Sequence, residues 1–139
     1  MHHREFSNIA SSLFAQIESS INNEGVSSLY LPKNYELLLE NKSKFYKYDF
    51  CIPELKFIIE FNGDVFHGNP QLFNESDYPN PYDRTLTAKQ MWLNDKEKKD
   101  LAKSKGFDVM VIWERDYRND PETTVDNVIK TIREKLKKF

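Results

Sequence analysis

From residue 6 onward the apolar positions Phe6, Ile9, Ala10, Leu13, Phe14, Ile17 and Ile21 recur at intervals of three and four, the period of a helix with one buried face. Ser7 or a neighbour is the expected start, and NNEG at 22–25 the stop. Residues 27–40 read as extended segments interrupted at 32–34. Two strands follow, 45–52 and 57–62, joined through 53–56. Residues 63–84 are rich in Gly, Asn, Pro, Asp and Tyr and read as a long irregular loop; in a compact domain such loops are usually functional or disordered. A helix is expected over about 85–105, ending before Gly106, and then a strand over 108–113. RNDPE at 118–122 offers a cap at Asn119 or Asp120 with Pro121 at the first helical position. The last helix buries Val125, Val128, Ile129, Ile132 and Leu136. The order is α-β-β-β-α-β-α, which predicts one α/β domain over residues 1–139: a single mixed sheet flanked by helices.

Several polar residues interrupt this pattern. If the turn between the two strands is symmetric about 54–55, Ile52 faces Phe57 and Asp49 faces Glu60. Opposed residues share a sheet face with Cβ atoms about 4.5–5.5 Å apart. Two carboxylates so placed repel one another, and a divalent cation removes the penalty, since Mg2+ takes one or two carboxylates and keeps several waters. The alternation of strands puts Asn62 on the face of Glu60 and turns Phe57, Ile59 and Phe61 to the other. An ordinary half-exposed hairpin with polar residues outward explains the pair equally well. In the 85–105 helix, Ala88, Met91, Trp92 and Ala102 mark an apolar stripe, and Asp95 falls within it. A buried acid needs a partner or a metal; the plain alternative is a salt bridge to Lys98 or Lys99. His67, followed by the bend-forming Gly68 and Pro70, is a candidate general acid or base, or a hydrogen-bonded surface histidine. Asp64, after Gly63, reads as a turn former. Of the remaining acids, Glu36 shares a face with Leu38 and ranks above Glu18, which is expected to face solvent.

Composition narrows the class. Apolar residues make up 39% and charged residues 30% of the chain, a globular balance. No apolar run approaches the roughly 18 residues of a membrane span, and MHHREFSN at the start lacks the apolar core of a signal peptide. The single cysteine, Cys51, excludes an internal disulfide and a cysteine-built zinc site; an intracellular, cytoplasmic setting fits. Twenty Lys and Arg stand against 22 Asp and Glu, a net charge of −2. That weighs against tight autonomous DNA binding but not against a nuclease, whose site is itself acidic.

With these residues in view, YDFCIPELKFIIEFN reads D-x10-E-x-N and resembles the PD-(D/E)XK nuclease core with asparagine at the usual lysine position. Extended through NGDVFHGNP and TAKQMWLNDKEKKDLAKSKGFDVMVIWERD, it looks like the very-short-patch-repair (Vsr)-like endonucleases, including the phage and homing branch described by an EDxHD set. The likeness covers roughly residues 45–118. It implies a restriction-endonuclease-like core and a Mg2+-dependent DNA endonuclease, Mn2+ substituting, with no structural zinc. By this resemblance Asp49 is the central metal-binding aspartate, Glu60 the second acid, and the Phe61 carbonyl a further metal ligand. His67 matches the general acid or base, and Asp95 the helix aspartate that orients a histidine or a metal-bound water. Ser12 stands where the repair enzymes carry a first-helix glutamate, and Glu36 where homing-type members often place an acid. Asn62 can hydrogen-bond the scissile phosphate or the attacking water but supplies no positive charge, so His67 or the metal compensates. Double-stranded DNA is the expected partner, with contacts from the loop and the following helix: Phe66, Phe73, Tyr78, Tyr82, Lys98 and Lys99, and from the tail Lys135, Lys137 and Lys138. A further DNA-recognition domain or a homodimer would supply specificity. The rival readings are a catalytically inactive DNA-binding or assembly module of the same fold, and an unrelated α/β protein whose acids lie scattered on its surface.

Overall fold

The computed structural model describes the backbone of residues 3–139 and side chains from residue 8 onward. The expectations for the Phe6 and Ser7 side chains therefore lie outside the described residues. The first helix, α1, runs His3–Ile21, beginning before Ser7 and ending where NNEG predicted. Strands β1 (Leu29–Tyr30), β2 (Leu37–Asn41), β3 (Lys44–Tyr48), β4 (Phe50–Ile52) and β5 (Phe57–Asn62) follow. A one-turn helix α2 (Asp64–His67) opens the segment expected to be wholly irregular. Then come α3 (Ala88–Ser104), β6 (Asp108–Trp113), a short α4 (Glu114–Asn119) that the polar pattern had concealed, and α5 (Pro121–Leu136).

The sheet departs from expectation in one respect. Instead of a single sheet, a four-stranded mixed sheet in the order β1-β4-β5-β6 stands beside a separate β2–β3 hairpin. The cause is Asp49. The strand expected over 45–52 bends there, because side chains take over the backbone bonds: the Asp49 amide donates to Glu60 Oε2 (3.1 Å) and the Phe61 amide donates to Asp49 Oδ2 (2.9 Å). Such local side-chain bonds compete with ladder pairing. Beyond the bend β4 and β5 pair antiparallel with Ile52 opposite Phe57 and Phe50 opposite Ile59, while β6 joins β5 in parallel.

Helices flank both faces. On one, Leu13, Phe14, Ile17 and Ile21 of α1 and Val125, Val128 and Ile132 of α5 pack with Phe50, Ile52, Phe57, Ile59 and Phe61. On the other, Ala102 of α3 meets Tyr48, Cys51 and Ile58, with Leu37, Leu39 and Tyr46 of the β2–β3 hairpin packed beside them. The cap of α5 is one the sequence offered: Asp120 accepts from the Thr123 amide with Pro121 at the first turn. Thr87 and Gln90 form a capping box at α3, an arrangement that satisfies two orphan amides reciprocally. No helix among the described residues is long and apolar enough to cross a membrane.

Candidate active site

Strand β5 is buried along its whole length, and its two faces differ in chemistry. Phe57, Ile59 and Phe61 enter the core under α1 and α5. By the two-residue period, Glu60 and Asn62 follow Ile58 onto the α3 face, and both are buried. The register extrapolated from the turn holds, so Asp49 and Glu60 come together, each accepting from the other's strand. Above them lies a cavity of about 530 Å³. Tyr48, Asp49, Glu60, Phe61 and Asn62 line it from the hairpin; His67 and Pro70 from the segment after β5; Trp92, Asp95, Lys96, Lys98 and Lys99 from α3; Val109, Val111 and Trp113 from β6.

Glu60 is electrostatically unfavourable as an anion. Burial pushes its carboxyl well above the ordinary glutamate range, and the neighbouring Asp49 pushes in the same direction, against the pull of Lys98. Its Oε2 accepts from Asp49 N, whereas the buried Oε1 accepts no hydrogen bond of proper angle and has Lys98 Nζ at 2.5 Å. Burial, and then Glu60, raise the Tyr48 phenol to about 12. Its hydroxyl therefore stays protonated and donates to the Lys98 carbonyl at 2.7 Å, which ties α3 to β3 at this point.

His67 and Asp95 form a second unit. His67 Nδ1 lies 2.9 Å from one Asp95 oxygen and 3.1 Å from the other. The partner of Asp95 is thus the histidine, not the lysine Lys98 or Lys99 of the plain alternative. Gly68 makes this contact attainable. It caps α2 at φ +61, and a Cβ there would meet Ala88 Cα and Cβ at 3.2 Å, so any other residue would be strained and crowded where the end of α2 presses against α3. Trp92 Nε1 donates to the Gly68 carbonyl at 2.5 Å and fastens the junction. The loop also holds the start of α3, through Ala88 N to Asp77 O and Lys89 N to Glu75 O.

The other candidates separate. Glu36 is half-buried, and burial and then Asp49 push its carboxyl up, with Lys47 and Lys98 opposing; it stands at the edge of the acid pair. Glu18, expected in solvent, instead accepts from Ser28 Oγ (2.5 Å) and Tyr30 Oη (3.2 Å) and pairs with Lys33, away from the cavity lining. Ser12 is exposed on α1, a helix packed on the opposite sheet face from Glu60. Asp64 is structural, as its turn-forming position suggested: its carboxylate accepts from Asn69 Nδ2 and the Arg115 amide. Of the aromatic DNA-contact candidates, Tyr78 and Tyr82 are exposed while Phe66 and Phe73 are half-buried. Lys99 lines the cavity, and Lys98 belongs to the acid pair itself. In the tail, Lys135 is engaged with Asp108 (2.5 Å) and lies over the Phe57 ring, so it serves the fold; Lys137 and Lys138 are exposed.

Lys98's partnership with Glu60 was not foreseen. Its spacing held a signal, because a residue three positions after Asp95 shares its helix face. Among the described residues no three His, Cys, Asp or Glu side chains converge as a metal cage. The cavity therefore offers two carboxylates, a carboxylate-bound histidine, an amide and an ammonium. Comparison with protein-family models, curated proteins and solved structures returned no match.

Proposed function

We propose that the chain is a divalent-cation-dependent DNA endonuclease of the Vsr-like kind, with a restriction-endonuclease-like core, hydrolysing phosphodiester bonds. The observation that carries this reading is the meeting of the Asp49–Glu60 pair and the His67–Asp95 pair in one cavity. A divalent cation fits the residues present. Glu60 Oε1 is buried beside a cation, the Lys98 ammonium at 2.5 Å, two carboxylates lie side by side, and Mg2+ requires no more than one or two of them. Asp49 and Glu60 would hold it, with the Phe61 carbonyl adjoining. When bound, such an ion activates water and stabilises charge on the departing oxygen.

The remaining groups do their work by hydrogen bonds and proton placement. Asp95 holds His67 through Nδ1, which fixes the ring and leaves Nε2 to give or take the proton at the reacting oxygens. The Asn62 amide is suited to donate to a non-bridging phosphate oxygen. Glu36 adds negative charge within electrostatic reach of Asp49. The substrate is double-stranded DNA, met by Lys96 and Lys99 at the mouth of the cavity and by the exposed Tyr78 and Tyr82 of the loop.

A second reading, an inactive DNA-binding or assembly module, draws on Lys98 already neutralising Glu60. Plasmid nicking with Mg2+, with Mn2+ and with EDTA decides between them. The nuclease cuts only with metal, and Asp49→Ala removes the cutting. Equal behaviour of wild type and Asp49→Ala overturns the nuclease reading.

A further inference from the structure

The cavity collects carboxylates: Asp49, Glu60 and Asp95 line it, and Glu36 stands within electrostatic reach of Asp49. A phosphodiester brings another negative charge, and hydrolysis adds more. The groups nearest the acid pair do not balance this, since Asn62 is neutral and His67 is bound to Asp95. Lysines are the remaining cations of the lining. Lys96, Lys98 and Lys99 all line the cavity, and Lys96 pairs with Asp100 at 2.6 Å. Lys98 reaches in, with its ammonium 2.5 Å from Glu60 Oε1 and 4.8 Å from the centre of the Tyr48 ring. Its backbone is anchored, because its carbonyl accepts from the Tyr48 hydroxyl, while its side chain remains 26% exposed and so has open space to swing into. Lysine carries its charge on a flexible four-carbon stem.

Resting on the hydrolytic reading above, we infer that Lys98 is a catalytic residue with two positions: in the ion-free protein its ammonium occupies the cation seat at Glu60, and in the working site it meets the phosphate of the substrate. A divalent ion and the ammonium cannot share Glu60 Oε1. Their competition gives Lys98 a signature that neither a structural prop nor a plain counter-charge produces.

The test measures Mn2+ binding to the free protein by electron paramagnetic resonance, and single-turnover cleavage of a DNA duplex, for wild type, Lys98→Met and Lys98→Arg. Lys98→Met is expected to bind Mn2+ about tenfold more tightly, each tenfold being about 1.4 kcal/mol. It is also expected to cleave about 100-fold more slowly with little change in KM, the loss typical of one charge-stabilising donor. Lys98→Arg restores part of the rate. Thermal melting verifies that each variant is folded, and the arginine variant keeps the ion pair if methionine does not. Tighter Mn2+ binding with undiminished cleavage reduces Lys98 to a counter-charge and overturns the inference. Weaker binding together with slower cleavage makes it a structural prop and overturns it as well. Failure of the hydrolytic reading is distinguishable, because wild type itself then cuts nothing with metal, and the catalytic role falls with it.

Discussion

Two glutamates in this molecule are buried to the same extent, 7% exposed each, and they differ in what their oxygens meet. Glu114, at the start of α4, has both oxygens occupied: Oε1 accepts from the Asp64 amide at 3.2 Å, and Oε2 from Arg118 Nε at 3.0 Å. It joins α4 to α2 and is a structural acid. Glu60 lies beside a second carboxylate, has the Lys98 ammonium against its other oxygen, and is pushed toward its neutral form by burial and by Asp49, against Lys98. Burial alone thus does not separate a structural acid from a chemical one. The partners do: Glu114 has a hydrogen-bond donor on each oxygen, whereas Glu60 meets a second carboxylate and a lysine ammonium, the setting that the proposed chemistry would use.

The largest effects expected concern cleavage. Glu60→Ala should lower metal-dependent nicking by about 10³-fold or more, the several kcal/mol that a metal ion contributes, while Glu114→Ala leaves the folded fraction active. Equal losses in the two variants would erase the distinction. Next, His67→Ala should cost about 10²–10⁴-fold, the range of general acid–base catalysis. Asp95→Asn, which acts through the histidine, should cost about 10–100-fold, the size of an orienting partner's contribution. A loss in Asp95→Asn exceeding that in His67→Ala would move Asp95 from orienting the ring to a direct part in the chemistry. The order reverses for stability. Glu114→Ala should lower the unfolding free energy in urea by about 1–3 kcal/mol, since it leaves the Asp64 amide without its acceptor and removes one partner of Arg118.

How much of this was legible depended on the range over which each signal acts. The facing of Asp49 and Glu60 followed from turn symmetry and the two-residue alternation, both local rules, and it held. The α3 stripe flagged Asp95 as an acid in the wrong place, and the resemblance gave it a histidine or a metal-bound water to orient; the choice of His67, 28 residues away, is made by the fold. The split of the sheet at Asp49 was invisible because 45–52 is rich in aromatic and apolar residues on both sides of that one acid. The break comes from hydrogen bonds across the turn, which propensity does not register. Short α2 and α4 escaped notice because one or two turns carry too little periodicity. Lys98 was read as a DNA contact or as a partner for Asp95, and its position against Glu60 depends on how α3 docks across the sheet, a long-range fact.

The smallest effect expected has the most pointed sign. Glu60's carboxyl is held above its ordinary range in the folded protein, so the folded state binds that proton more tightly than the unfolded chain. The stability this confers is complete below the ordinary glutamate pKa and is lost as pH rises through the raised folded value. Asp49 faces the group and favours the neutral form, and Lys98 opposes it. Glu60→Gln is neutral at every pH, so in EDTA it should match wild type near pH 4 and become the more stable protein toward neutrality. About 1 kcal/mol is a reasonable gain for relieving a functional site. Mg2+ should reverse the ranking, because an ion bound only to the folded state adds about 2.7 kcal/mol at a hundredfold excess over its Kd, and the amide variant has lost half of the acid pair that holds it. Thermal melts across pH with EDTA and with Mg2+ read both signs. A Glu60→Gln protein less stable than wild type at neutral pH in EDTA would mean that the Lys98 contact outweighs the desolvation, and that Glu60, like Glu114, belongs to the structure.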